Sequence, residues 1–372
     1  MKLLKKLAIG ATTISLAAGI YAVPAFGAAD AANDNITGDS FADSEALDND
    51  DVTVDTTNLN SKLNNIDVSL ATTGLNFQNG NEDGNDLSTS NAQAEYETEN
   101  FMNVNEASGY DGASASNSNI SNGSDGDALA DDSDTVTVAN TNKDTDAFNV
   151  TASVANTGLN FQNDNEDGNS LRSGSAWSWA ASSNVVNHNK VSGSCGTSVC
   201  GSTNSTAVAA NSNISGDSFA DAEAYDNDTI TVTNKNIDTK FVNVTAAVSN
   251  SGLNSQNGNE DGNSIATGNT AAGTQVANYV NVNETSVGGS NASATNTNIT
   301  NGSDGDAVAE DNDTITVVNT NKGTSVLNVS VAAANSGGNS QNKNEDGNSI
   351  TTGSAVAAGS TTNVVNANQV NW

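Results

Sequence analysis

One proline, one histidine, two cysteines, 4% aromatic residues and only 11 Lys and Arg against 44 Asp and Glu set the limits of this 372-residue chain. So few aromatic rings exclude a core built on large apolar side chains. The formal net charge of −33 excludes nucleic acid and acidic membrane surfaces as partners, because the like-charge field repels them. No second hydrophobic segment follows the N-terminal one, so no integral membrane segment is expected in the mature chain. In their place, 62 residues are asparagine and 33 are glycine.

Lys2, Lys5 and Lys6 precede an apolar run from Leu7 to about Val23, and Ala25-Phe26-Gly27 places small residues, Ala25 and Gly27, where a signal peptidase reads them. This is the layout of a secretory signal peptide over residues 1–27. A membrane anchor is the alternative, but Thr12, Thr13, Ser15 and Pro24 interrupt the run and it is short for a span. Residues 28–372 are expected to be secreted, extracellular or at the cell surface. That compartment permits a disulfide between Cys195 and Cys200, closing a short loop. A two-cysteine metal site is the other reading; it lacks further ligands, since His188 is the one histidine.

Internal comparison carries most of the information. Asn-Glu-Asp-Gly-Asn begins at Asn81, Asn165, Asn259 and Asn344, at steps of 84, 94 and 85 residues. Ile36, Ile120, Ile214 and Ile299 keep the same steps, as do the pairs Val52/Val54, Val136/Val138, Ile230/Val232 and Ile315/Val317. Four copies in register follow, over residues 32–116, 117–210, 211–295 and 296–372. The longer second step is one insertion around Cys195 and Cys200.

Within each copy apolar residues alternate with a period of two, as in Ile66/Val68/Leu70, Val150/Ala152/Val154, Val244/Ala246/Val248 and Val329/Val331/Ala333. Alternation of β-branched residues reads as strands with one face buried, and these residues are expected on that face. Clusters of Gly, Asn and Asp between them read as turns. Ala128/Ala130, Ala222/Ala224 and their equivalents stay small in every copy, so opposed layers are expected to lie close together.

The asparagines align best of all. Asn100, Asn184, Asn278 and Asn363 form one set; Asn103, Asn187, Asn281 and Asn366 a second; Asn105, Asn189, Asn283 and Asn368 a third. In stacked parallel strands equivalent residues lie about 4.8 Å apart, and amides can bond along the stack. The expected fold is all-β: an elongated β-solenoid, or β-helix, built from four tandem copies of about 85 residues. Each copy is expected to hold four coils of about 21 residues, or three longer ones. Disorder and four separate β-sandwich domains are the competing readings.

With the copies aligned, the chain resembles the Asn/Thr/Gly-rich exported tandem-repeat surface proteins of bacteria. The likeness is carried by Asn-Thr-Gly-Leu-Asn-Phe-Gln-Asn at 156–163, Asn-Ser-Ile-Ala-Thr-Gly at 263–268 and Asn-Val-Val-Asn-His-Asn at 184–189. That resemblance implies a β-helical, surface-associated protein. Gln78, Gln162, Gln256 and Gln341, with the Asn and Gly positions after them, give a looser likeness to curli-type fibre subunits, which implies self-association.

Candidate chemistry lies at two places. Asn79-x-Asn81-x-Asp83, Asn163-x-Asn165-x-Asp167, Asn257-x-Asn259-x-Asp261 and Asn342-x-Asn344-x-Asp346, each followed by Gly, set alternate oxygen ligands as at the start of a calcium loop. The bidentate Glu that completes such a loop is missing, and a solvated turn is the plain alternative. The acidic turn at 226–228 and others like it supply more oxygen. Calcium is thus a candidate ligand and no cofactor is required. Trp177 and Trp179 have Gln, Glu, Ala, Gly or Val as their equivalents. With Ala176 and Ser178 inward, both indoles point outward and can dock a glycan or partner, unless the insertion folds over them.

An enzyme is not expected, because the acids recur in every copy whereas an active site occurs once. The function expected is a secreted structural or adhesive protein of the cell surface or extracellular matrix, self-associating into fibres through repetition that runs on to Trp372. A carbohydrate- or partner-binding module using Trp177 and Trp179 is the alternative. A polysaccharide-degrading β-helix enzyme, using paired acids, is the distant one.

Overall fold

The computed structural model describes residues 11–17, 20–22, 30–34, 41–48, 51–82, 85–108, 114–118, 125–133, 135–192, 206–286, 291–297, 299–300 and 303–371. These residues form strands and turns, with no helix among them. None is therefore long and apolar enough to cross a membrane as a helix. The strands gather into six sheets, and the pairings within them are parallel. Such an arrangement is compatible with a β-solenoid.

Strand neighbours lie a full copy apart. Val136 sits between Val52 and Ile230, and Ala176 between Ala92 and Thr270. Coils of about 21 residues are therefore not found. Asn140-x-Asn142 and Asn187-x-Asn189, which look like successive coils within one copy, belong to facing layers: Asn142 Nδ2 donates to Asn189 Oδ1 across the interior at 3.0 Å. Pairing from one copy to the next also replaces the closed, separate sandwiches considered above.

Two sheets form the broad middle. The first layer contains Lys62–Thr72, Thr135–Asn156, Thr229–Asn250 and Ser325–Asn335, and the second Ala92–Ser108, Ala176–Ser192, Thr270–Ser286 and Ala355–Val365. They lie face to face. Ala147 and Phe241 of the first meet Met102, Val186 and Val280 of the second, and Val136, Val138, Ile230 and Val232 meet Ala107 and Val191. To one side the core narrows to alanine, with Ala128, Ala130, Ala222 and Ala224 against Ala207 and Ala209. Methyl groups on both sides let the backbones approach and exclude water without rings. Ala11–Ala17 and Ile20–Ala22, inside the expected signal peptide, pair with Ala92–Ser108 on the edge opposite Ala176–Ser192.

One expectation is reversed. Ile66, Val68 and Leu70 are 67%, 60% and 67% exposed, and Val150, Ala152 and Val154 face out between the buried Asn149, Thr151, Ser153 and Ala155. The cause is a left-handed residue at the same place in each copy, inside the long strand or between its two halves: Asn60 (φ 52°), Asp144 (φ 56°), Asp238 (φ 55°) and Gly323 (φ 69°). Each inserts one residue and moves the inward set to the other parity, because side chains alternate with a period of two. Val136, Val138, Asn140 and Asn142 are buried before Asp144; Thr145, Ala147 and Asn149 are buried after it. The branched residues beyond the switch are left on the outside.

Candidate functional site

The interior is wired by amides. Asn100, Asn184 and Asn278 each donate Nδ2 to the Oδ1 of the next, ending on Asn363, at 2.7, 2.8 and 2.7 Å. Asn103, Asn187, Asn281 and Asn366 repeat this at 2.8, 2.9 and 3.1 Å. Asn105, Asn189, Asn283 and Asn368 do so at 2.8, 2.9 and 2.8 Å. An amide has both a donor and an acceptor, so a column of one residue type satisfies itself. The middle column also holds left-handed φ of 54°, 57°, 58° and 55°, a region asparagine tolerates better than most side chains. These four residues switch the second layer's inward face as Asp144 and its equivalents switch the first.

Further asparagine columns were not singled out from the sequence, whereas the glutamine set was. Asn58, Asn142, Asn236 and Asn321 are joined at 2.9 Å throughout, as are Asn76, Asn160 and Asn254, with Asn254 reaching Asn339 at 3.0 Å. Gln162, Gln256 and Gln341 donate the opposite way, each to the glutamine before it at 2.7 Å. The signal of the asparagine columns was present, because all keep the steps of 84, 94 and 85 residues.

The Asn-x-Asn-x-Asp-Gly turns use their second asparagine structurally. Asn165, Asn259 and Asn344 accept at Oδ1 from the backbone N–H of Asn81, Asn165 and Asn259, each at 3.0 Å. Asn79, Asn163, Asn257 and Asn342 end short strands, and Asp167, Asp261 and Asp346 face solvent. Asp83 lies outside the described residues. Stacking these turns stacks their acids. Partial desolvation, then the charges of Glu166, Glu345, Asp167 and Asp261, hold the Glu260 carboxyl above its ordinary range. Along another row, desolvation and then Asp221, with Asp43 and Asp125, raise Asp127.

A tighter acidic group lies elsewhere. Asp132, Asp226 and Asp228 are buried, with one carboxylate oxygen from each within 4.8 Å of the others. Asp226 and Asp228 belong to an acidic turn legible in the sequence. Asp132 joins them because it pairs directly with Asp226 in the neighbouring strand. Three hard oxygen donors of this kind suit calcium by their chemistry.

Trp177 and Trp179 are half-buried and face out, between the buried Ala176 and Ser178. The six-membered ring of Trp179 lies against Gly273, where an added Cβ would meet Cε3 and Cζ3. That indole therefore lies along the stack, over the neighbouring strand. Toward the far end of the strand holding Trp179, Lys190 Nζ contacts Glu106 at 3.0 Å and is held above the ordinary lysine range by that bond. His188 Nε2 lies 3.6 Å from Glu284 on the same outer side. Cys195 and Cys200, with the rest of the insertion at 193–205, lie outside the described residues. No family model matches the chain, and neither the curated proteins nor the solved structures give a match.

Proposed function

We propose that this chain is a secreted structural protein of the cell surface or extracellular matrix, with a β-solenoid body in which each of the four copies forms one wide, flattened turn. The observation that carries the reading is the set of buried amide columns running from copy to copy, which devotes the interior to holding turns together. Hydrogen-bonded amide columns set into the core favour one register. They suit a rigid spacer or matrix element, in the manner of the exported repeat proteins this chain resembles. The role is non-enzymatic in this reading, since the acids stack in rows and recur along the chain. Cleavage after Gly27 removes Ala11–Ala17 and Ile20–Ala22, so export bares the outer edge of Ala92–Ser108. Calcium enters as a counter-ion for the acid rows.

Localisation by antibody on intact cells tests the reading. Surface or matrix labelling of a chain that starts at residue 28 supports it, and retention in the cytoplasm with the leader intact overturns it. A second reading, docking of a glycan or partner, is favoured by the outward Trp177 and Trp179 alone. A glycan array with the Trp177→Ala/Trp179→Ala protein tests that role, and equal binding by both proteins removes it.

A further inference from the structure

We infer that the outer face of the first layer pairs with the same face of a second copy of this chain, independently of how the turns are closed. The face consists of aligned apolar columns. Ile66, Val150, Val244 and Val329 are neighbours in register, as are Val68, Ala152, Ala246 and Val331, and Leu70, Val154, Val248 and Ala333. Phe148, Val242 and Leu327 form a further column, and in the next sheet along the chain Phe77 stacks on Phe161 with ring centroids 5.0 Å apart. Contiguous apolar surface of this extent marks an interaction site on a soluble protein.

Charge selects the occupant. The chain carries a net −33, yet residues 148–161, 242–255 and 327–340 contain no charged residue. Residues 64–77 contain only Asp67, which is turned inward and bonded by Tyr96 and Thr98. The second layer instead carries Glu95, Glu97 and Glu99 in its first strand. Beyond the exposed Asp144 and Asp238 at the switch, this stretch of the layer therefore lets two copies meet without setting acid against acid. An anionic lipid surface gains no such advantage, because the remainder of the molecule repels it.

The rim supplies complementarity. Lys62, Asp146, Lys240 and Ser325 form one exposed row in register. A two-fold axis along the strands reverses the order of copies across the interface, as an isologous contact requires. Asp146 of each chain then faces Lys240 of the other, twice, and Lys62 faces Ser325. The same operation sets Val150 against Val244 and Val154 against Val248, and sheets packed nearly aligned accept such rows.

Sedimentation equilibrium of the full chain tests this. The wild-type protein is expected to dimerise at micromolar concentration, and Val150→Asp/Val244→Asp to be monomeric with an unchanged far-ultraviolet spectrum. Lys240→Asp is expected to weaken the dimer about a hundredfold by setting acids opposite each other twice. Adding Asp146→Lys to it is expected to restore the affinity, a rescue that general unfolding cannot produce. A wild-type monomer at every concentration overturns the inference. So does a dimer indifferent to Val150→Asp/Val244→Asp, or capture by phosphatidylcholine vesicles in place of the dimer.

Discussion

Thr145 Oγ1 donates to Asn187 Oδ1 across the two layers at 3.1 Å, beside the places where both layers change their inward face. Asp144, next to Thr145, has φ 56° and Asn187 has φ 57°. Two one-residue insertions thus face each other, and the layers stay parallel because both shift at the same level. Asn187 also donates to Asn281 at 2.9 Å and to Thr239 at 2.8 Å, so the switch is tied both along the stack and across it.

Replacing Asn187 with alanine removes these bonds and leaves the Asn103 amide and the Asn281 carbonyl without their column partner. Each buried polar group left unsatisfied costs about 1–3 kcal/mol, so a loss of about 2–5 kcal/mol is expected, read as a lowered urea midpoint. Asn64→Ala on the outer face is expected to stay within about 0.5 kcal/mol. Equal effects at the two sites would contradict the structural role of the columns.

Leu253 holds φ 59° where the fourth copy has Gly338 at φ 73°. A branched side chain in the left-handed region costs about 1–2 kcal/mol, and Leu253 is 46% exposed, so little burial compensates. Leu253→Gly is expected to leave the melting temperature unchanged or raise it, and Leu253→Val to lower it. Gly158 is the opposite case: a Cβ there would strike the carbonyl oxygen of Gly252 in the next copy. Gly158→Ala is therefore expected to destabilise strongly, and a neutral melting curve would show that these backbones are not so close.

The acid rows reverse the usual effect of acidification. Asp127 and Glu260 have pKa values raised above their ordinary 3.8 and 4.5. A carboxyl with a raised folded pKa binds its proton more tightly in the folded state, so stability rises as pH falls through the raised value and the gain is complete below the ordinary one. Melting temperatures are expected to climb from pH 7 toward pH 4.5. A steady fall over that range would mean that the rows are relieved in the fold.

At the buried acids, Asp226→Asn replaces one of three carboxyl groups whose oxygens lie within 4.8 Å of one another. Added calcium is expected to raise the wild-type urea midpoint and to do so less for Asp226→Asn. Equal responses by the two proteins would place any calcium effect on the exposed acids instead.

The parallel strands and their register were legible because Asn-Glu-Asp-Gly-Asn, the branched pairs and three asparagine sets keep one set of steps. Which side each strand buries was not. Parity depends on Asp144 and Asn187, whose left-handed φ leaves no mark in an alternation pattern, so Ile66 and Val150 read as core and lie outside. Turn length was misjudged because Asn142 and Asn189 resemble successive rungs although they meet across the interior. The buried acid group was half visible: Asp226 and Asp228 share a turn, while Asp132 reaches them only through strand pairing.

Paired cysteines measure the central claim most directly. Thr137 and Thr231 lie opposite each other in register, and adjacent strands set Cα atoms about 4.8 Å apart, within disulfide reach. In a chain with Cys195 and Cys200 changed to serine, Thr137→Cys/Thr231→Cys is expected to cross-link on mild oxidation, and Thr137→Cys/Leu159→Cys is not. Cross-linking of the second pair without the first would contradict neighbours a full copy apart.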